Sequence, residues 1–190
     1  MSDYDKVKED IADKLKLNST KHIDTFTDKV AEIESSSGKN TVSTISSARG
    51  IFQFLTEGKG NAFQTGLNRL QRHLGETEWI KEARKHNDPN KLTKDQQRAL
   101  FLANMYQQKG TDPFLLKIAQ GDNQAMAEAY SKFHHTVEDI YTDPRISKIF
   151  DLPPPAPTLG DLKVGEQKPT EDEVIKRART ANTFPEAMQE

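Results

Sequence analysis

Residues 30–54 read VAEIESSSGKNTVSTISSARGIFQF, and the rest of the chain is organised around this stretch. It begins as the end of an amphipathic helix, passes through a polar run rich in Ser and Thr, and closes on an apolar segment. The carboxylate Glu34 leaves the helix into the polar run, and one amide, Gln53, is embedded in the apolar segment. A carboxylate that leaves a helix into a polar loop, with an amide in an apolar segment nearby, predicts a cleft rather than a plain turn.

The order of residues within this stretch also follows a known pattern. Glu34 is followed directly by a Ser, Ser43 stands nine positions after Glu34, and residues 47–53 read Ser-Ala-Arg-Gly-Ile-Phe-Gln. This set resembles the signature of lysozyme-like lytic transglycosylases, the superfamily of soluble lytic transglycosylases and goose-type lysozymes. In words, that signature is Glu-Ser, a Ser nine positions on, and then Gly-Ala-x-Gly-Leu-Met-Gln. The form with Ile-Phe-Gln-Phe is similar to versions found in phage particle-borne lytic enzymes.

The match departs from the family pattern in three places. The block ending at Gln53 lies about one residue late, Ser47 replaces a Gly, and Ile-Phe replaces Leu-Met. A second, partial match is the stretch 122–131, which resembles the family segment that ends Ala-Tyr-Asn. Its Tyr is Tyr130, and the resemblance implies that the Tyr130 hydroxyl lies near the catalytic Glu. Here Ser131 replaces the Asn, and the alternative is a core Tyr on a helix.

The resemblance assigns roles to four residues. It implies that Glu34 is the catalytic acid, and that Ser43, Gln53 and Tyr130 bind or position the substrate. Protonating a glycosidic oxygen requires a carboxyl that stays protonated, and Glu34, at the edge of a buried helix face, suits a raised pKa. Each role has a structural alternative: Glu34 as a surface residue, Gln53 as a brace for the loop backbone, and Ser43 as one of several loop serines.

Composition and charge limit the other classes of function. The formal net charge is −2, so no global basic field indicates nucleic acid, and no nucleic-acid partner is expected. The chain has no cysteine, so a zinc site would need His and carboxylates alone. The pair at 134–135 is not expected to hold a metal, because neighbouring helix residues diverge by about 100°; one of the two is expected to flank the cleft. No metal and no cofactor are predicted.

The sequence pattern also predicts how the protein is targeted. No apolar run follows the first Met, and no stretch approaches the ~20 apolar residues of a spanning helix, so neither a signal peptide nor a membrane span is expected. An enzyme of this kind that acts on a cell wall would arrive inside a phage particle, through a pore, or from a longer precursor. The expected location is therefore a virion component or an injected protein that acts in the bacterial periplasm.

Hydrophobic periodicity predicts a mainly α protein, with a short irregular or β-like excursion after the helix that carries Glu34. A capping-box spacing at Thr93 opens the longest helix. The predicted helices lie near residues 4–17, 21–34, 63–74, 79–86, 93–109, 112–120, 125–133 and 144–150. Residues 151–157 are Pro-rich, which predicts a helical, lysozyme-like catalytic domain over 1–150 and an extended tail over 151–190 with one possible short helix near Thr170.

The function that the resemblance implies is cleavage of the MurNAc–GlcNAc β-1,4 bond of peptidoglycan glycan strands. A lytic transglycosylase, with a single Glu that acts first as acid and then as base, is favoured over a hydrolase. A hydrolase would need a second carboxylate about 5–10 Å away, and Glu57 is one candidate whose position the sequence does not fix. The alternative is a weak or inactive structural or adaptor protein of a phage particle on the same scaffold, whose Pro-rich tail holds other virion proteins.

Overall fold

The computed structural model of the chain describes residues 1–155 except residue 37 and residues 44–45, 59–60 and 136–138. Within these residues the protein is mainly helical, as predicted, and Met1–Pro154 form one compact unit. The eight α-helices described there are α1 (Asp3–Leu15), α2 (Lys21–Ser35), α3 (Ala62–Leu74), α4 (Glu78–His86), α5 (Lys94–Tyr106), α6 (Asp112–Ala119), α7 (Asn123–Tyr130) and α8 (Pro144–Ile149). A 3-10 turn, Pro89–Lys91, precedes α5, and a π-helical turn, Ser131–His135, follows α7.

Helix starts are fixed largely by side chains that accept hydrogen bonds from the first free backbone N–H groups. Ser2, Asn61 and Thr77 cap α1, α3 and α4 in this way. At α5 both halves of the capping box form, since Thr93 accepts from the backbone of Gln96 and Gln96 accepts from the backbone of Thr93. The start of the longest predicted helix is therefore confirmed, although the helix ends at Tyr106, three residues before the predicted end.

Helix α5 is the centre of the core. Its segment 99–103 is wholly buried, and α1, α2 and α3 all pack on it. The sequence pattern predicts one inner face that includes Tyr106, but Leu100 and Phe101 are buried as well, and Tyr106 is only half-buried. A helix that is apolar on all sides must be surrounded, so α5 is covered by neighbours on every side over this segment.

The excursion between α2 and α3 contains a small antiparallel sheet. Strand β1 (Ala48–Arg49) pairs with β2 (Phe54–Leu55), and Val42 forms an isolated bridge to Arg49. Phe52, at the tip of this hairpin, stacks on Phe101 of α5 with ring centroids 4.5 Å apart and an interplanar angle of 9°. The predicted β-like excursion is therefore present, and its aromatic tip fastens it to the central helix.

Two further predictions concern membrane-spanning helices and the C-terminal tail. None of the helices in the described ranges has the length and apolar character needed to cross a membrane. The predicted tail, including the segment at Thr170, lies outside the described residues apart from 151–155. The division into a domain at 1–150 and a tail at 151–190 stays a prediction.

Candidate active site

Glu34 lies in the last turn of α2, at the edge of its buried face. The neighbouring Ile33 belongs to the core, and the side chain of Glu34 is only 8% exposed. The helix stops at Ser36, whose left-handed backbone (φ 50°) lets its N–H bond to the carbonyl of Glu32. Glu32, two residues earlier, is exposed. The helix end thus presents one acidic side chain, Glu34, to a cavity of about 430 Å³.

Tyr130 meets Glu34 from the end of α7. Its hydroxyl donates a hydrogen bond of 2.6 Å to Oε1 of Glu34, across 96 positions of sequence. The ring is fully buried and packs against Phe150, so Tyr130 is also a core residue. Burial and the adjacent carboxylate raise the pKa of Tyr130 far above its usual value, so the hydroxyl stays a donor. Tyr130 therefore lies next to Glu34, as the resemblance implies. It is also a core residue, which was the alternative interpretation.

Two histidines also lie close to the carboxylate of Glu34. His135 Nδ1 lies 3.4 Å from Oε1 of Glu34, and His134 Nε2 lies 4.0 Å from the same oxygen. Both belong to the π-helical turn that follows α7, where one extra residue per turn changes the direction of successive side chains. The sequence predicts that one of the two flanks the cleft, and in the structure both of them line the cavity. His134 Nε2 also donates to the carbonyl of Phe52 at 2.9 Å.

The pKa of Glu34 departs from the prediction. Burial alone raises it, as the sequence analysis expected, but the hydrogen bond from His135, the charge of His134 and the hydrogen bond from Tyr130 outweigh burial. The net result is a pKa below the usual value of a Glu, so the prediction of a raised pKa is wrong. In turn the carboxylate raises the pKa of His135, whereas burial lowers the pKa of His134. The Glu34–His135 pair therefore carries its proton on the imidazole.

The turn at Gly50 is clamped to α5. Gln97 accepts a hydrogen bond of 2.7 Å from the backbone N–H of Ile51 and donates to the carbonyl of Leu92. Gly50 has φ +80°, and an added Cβ would lie 2.6 Å from Oε1 of Gln97. The turn therefore requires glycine for two reasons, its left-handed backbone and the closeness of the clamp.

Gln53 and Ser43 line the same cavity as Glu34 and Tyr130. Nε2 of Gln53 donates to the carbonyls of Gly50 and Asn40, at 2.8 and 3.1 Å, so Gln53 braces the loop. Those two bonds use only the nitrogen end of the amide. The hydroxyl of Ser43 accepts hydrogen bonds from the backbone and the hydroxyl of Ser46. All four predicted site residues thus meet at one cavity, and their roles toward a substrate stay predictions.

Among the described residues that line this cavity, Glu34 is the sole carboxylate. Glu57, the candidate for a second acid, is exposed and does not line it. Arg145 also lines the cavity and forms an ion pair with Asp143, in which Nη2 of Arg145 lies 2.6 Å from Oδ2 of Asp143. No group of three His, Asp or Glu side chains suited to a metal ion occurs in the part of the chain that the structure describes.

Sequence reasoning missed Arg145 entirely and gave His135 no role at the carboxylate. His135 is five positions after Tyr130, a spacing that brings side chains together only in a π-helix. No periodic signal marks Arg145, which reaches the cavity from the start of α8.

Comparison with protein-family models, with curated proteins and with solved structures gives no match to this chain. The assignment of a function therefore rests on the site and on the motif in residues 34–53.

Proposed function

We propose that this protein is a peptidoglycan lytic transglycosylase with a lysozyme-like helical fold and Glu34 as its single catalytic acid and base. The observation that carries the proposal is the convergence of Glu34, Ser43, Gln53 and Tyr130 on one cavity in which Glu34 is the only carboxylate among the described lining residues. Family resemblance named these four residues, and they come from two separate parts of the sequence, the stretch 34–53 and Tyr130.

The arrangement supports proton transfer at Glu34. Oε1 of Glu34 accepts the hydrogen bond from Tyr130 and lies 3.4 Å from Nδ1 of His135, which can supply a proton. In the proposed reaction, a glycan strand in the cleft displaces water from around the carboxyl, which raises the pKa of Glu34. The proton on Nδ1 of His135 then passes to the carboxyl, which becomes a neutral acid.

The proposed reaction is balanced without the addition of water. Glu34 protonates the bridging oxygen as the bond from C1 of MurNAc to that oxygen breaks, and GlcNAc leaves with a free 4-hydroxyl. The C6 hydroxyl of the same MurNAc then attacks C1, closes a 1,6-anhydro ring and returns its proton to Glu34. The absence of a second carboxylate among the described cavity residues favours this route over hydrolysis, which needs one to activate water.

The proposal is tested by incubating purified Gram-negative peptidoglycan with the wild-type protein, with Glu34→Gln and with Glu32→Gln. Glu32 is two residues away on the same helix and exposed, so its variant is the matched control. We expect anhydro-muropeptides by mass spectrometry from the wild type and from Glu32→Gln, and none from Glu34→Gln. Products one water heavier would show hydrolysis instead. No release by the wild type would reject an enzyme and favour a scaffold protein of a phage particle.

A further inference from the structure

A second cavity, of about 280 Å³, adjoins the first one. The two have Gln53, Leu55 and His134 in common, so the groove continues past the hairpin away from Glu34. Its far wall is formed by α3 and α5, and the described residues that line it include Arg69 and no Asp or Glu. The extension therefore combines an apolar floor with a cation, which is typical of a pocket that orients a polar ligand.

Arg69 is held in place by neutral partners. Its Nη1 donates to the backbone carbonyl of Asn104 at 3.0 Å and to the side-chain oxygen of Asn104 at 2.6 Å. Both hydrogen bonds use the same nitrogen, so Nη2 and Nε take no part in them. Within the described residues, Arg69 makes no ion pair with a carboxylate, unlike Arg84, Arg98 and Arg145.

The local charge around Arg69 is positive. Burial lowers the pKa of Arg69, and the nearby charge of Arg72 lowers it further. A half-buried guanidinium with only neutral partners gains most from an anion, and its planar fork fits a carboxylate through two parallel hydrogen bonds.

We infer that this second cavity is a subsite for a carboxylate on the glycan strand, bound by Arg69. The inference rests on the proposed function, because it takes peptidoglycan as the substrate. Two parts of that polymer carry the required group: the lactyl side chain of MurNAc where no peptide is attached, and the stem peptide where one is. Neutral chitin-type strands have neither group, so Arg69 would select peptidoglycan over chitin.

Binding measurements on the full chain carrying Glu34→Gln, which prevents turnover, test this subsite. The ligands are three tetrasaccharides: chitotetraose, the peptide-free GlcNAc–MurNAc tetrasaccharide, and the same tetrasaccharide with stem peptides. By calorimetry at low salt we expect at least one anionic ligand to bind about tenfold more tightly than chitotetraose, the gain expected for a hydrogen-bonded charge. Preference for the peptide-free or the peptide-bearing ligand identifies which carboxylate is bound.

Arg69→Gln, added to the same protein, should remove the preference and leave the affinity for chitotetraose unchanged. Arg69→Lys keeps the charge without the fork and should retain part of the preference. Arg72→Gln removes the same charge from an exposed neighbour outside the cavity, and should have little effect.

Equal affinities for the three ligands, or a preference that survives Arg69→Gln, would overturn the subsite and leave the proposed function in place. Failure of all three ligands to bind would also overturn it. The release of muropeptides by the wild-type protein then reports separately on the proposed function.

Discussion

The ring of His135 lies parallel to the ring of Tyr130, with centroids 5.4 Å apart and an interplanar angle of 9°, and both side chains reach Oε1 of Glu34. One side chain is a permanent donor and the other changes charge near neutral pH. The carboxylate is therefore held by one fixed hydrogen bond and one contact that depends on pH. This difference separates the effects expected of the two residues.

Tyr130→Phe removes the hydroxyl that donates to Glu34 and leaves the buried ring in place. We expect the free energy of unfolding to fall by about 1–3 kcal/mol, because the hydrogen bond is partly buried and its acceptor is charged. Muropeptide release should fall as well, since the carboxyl loses the contact that orients it. Urea denaturation and the release assay measure the two effects.

Tyr4→Phe is the matched control for Tyr130→Phe. The Tyr4 hydroxyl donates to Thr27 at 3.2 Å, in a part of the core that does not line the cavity. This variant should lose about 1 kcal/mol of stability and none of the activity. Equal loss of activity in both variants would contradict a specific role for Tyr130.

His135→Gln tests the pH dependence of the Glu34–His135 pair. The pKa of Glu34 is lowered from 4.5, so its contribution to stability is present above pH 4.5 and is lost as the pH falls through the lowered pKa. The pKa of His135 is raised from 6.5, so its contribution is present below pH 6.5 and is lost as the pH rises through the raised pKa. The pair therefore stabilises the fold fully between these two pH values.

The expected magnitude is small because the side chain of His135 is 43% exposed and water screens the pair. We expect His135→Gln to lower the free energy of unfolding by about 0.5 kcal/mol near pH 5.5 and by less near pH 8.5. Urea denaturation at the two pH values measures the difference. His134 and Arg145, which also line the cavity, are unchanged in the variant. A larger effect at the alkaline pH would contradict the assigned charges.

Local sequence patterns predict the parts of this site that depend on local structure. The end of α2 places Glu34 at the edge of a buried face, and the capping box at Thr93 marks the start of α5. The direction of the pKa shift of Glu34 was not predictable, because it depends on His135, which is 101 positions away in the sequence. The π-helical turn that brings His135 to the carboxylate has no periodic signature over so few residues.

Contacts between segments that are distant in the sequence could not be predicted from local sequence patterns either. The hydrogen bond from the backbone N–H of Ile51 to Oε1 of Gln97 joins residues 46 positions apart. In the sequence alone, nothing distinguishes Gln97 from the other polar residues of its helix. The resemblance placed Gly50 in the motif, but the reason for a glycine there lies in the side chain of Gln97. The spacing of residues in the motif identifies the position of the glycine, whereas the packing of Gln97 explains why a glycine is needed there.

Gly50→Ala should destabilise the hairpin through both its backbone and its neighbours. The φ of +80° costs about 1 kcal/mol for any side chain, and the new Cβ would also lie 2.6 Å from Oε1 of Gln97 and 2.7 Å from Cβ of Pro89. We expect a loss of about 2–4 kcal/mol in the free energy of unfolding by urea denaturation. Gly58→Ala is the control, because Gly58 has φ +88° with nothing within 4 Å of the new Cβ. Equal losses at the two positions would show that the clamp contributes nothing.

Phe52→Ala should weaken the attachment of the hairpin to α5. The fully buried Phe52 ring stacks on Phe101, and its removal leaves a cavity that costs about 3–5 kcal/mol. Because the carbonyl of Phe52 accepts the hydrogen bond from His134, movement of the hairpin also displaces a neighbour of Glu34. Phe52→Leu fills most of the space and should cost less than about 2 kcal/mol while keeping the release of muropeptides. If Phe52→Ala kept full activity despite its loss of stability, the position of the hairpin would not control the geometry at Glu34.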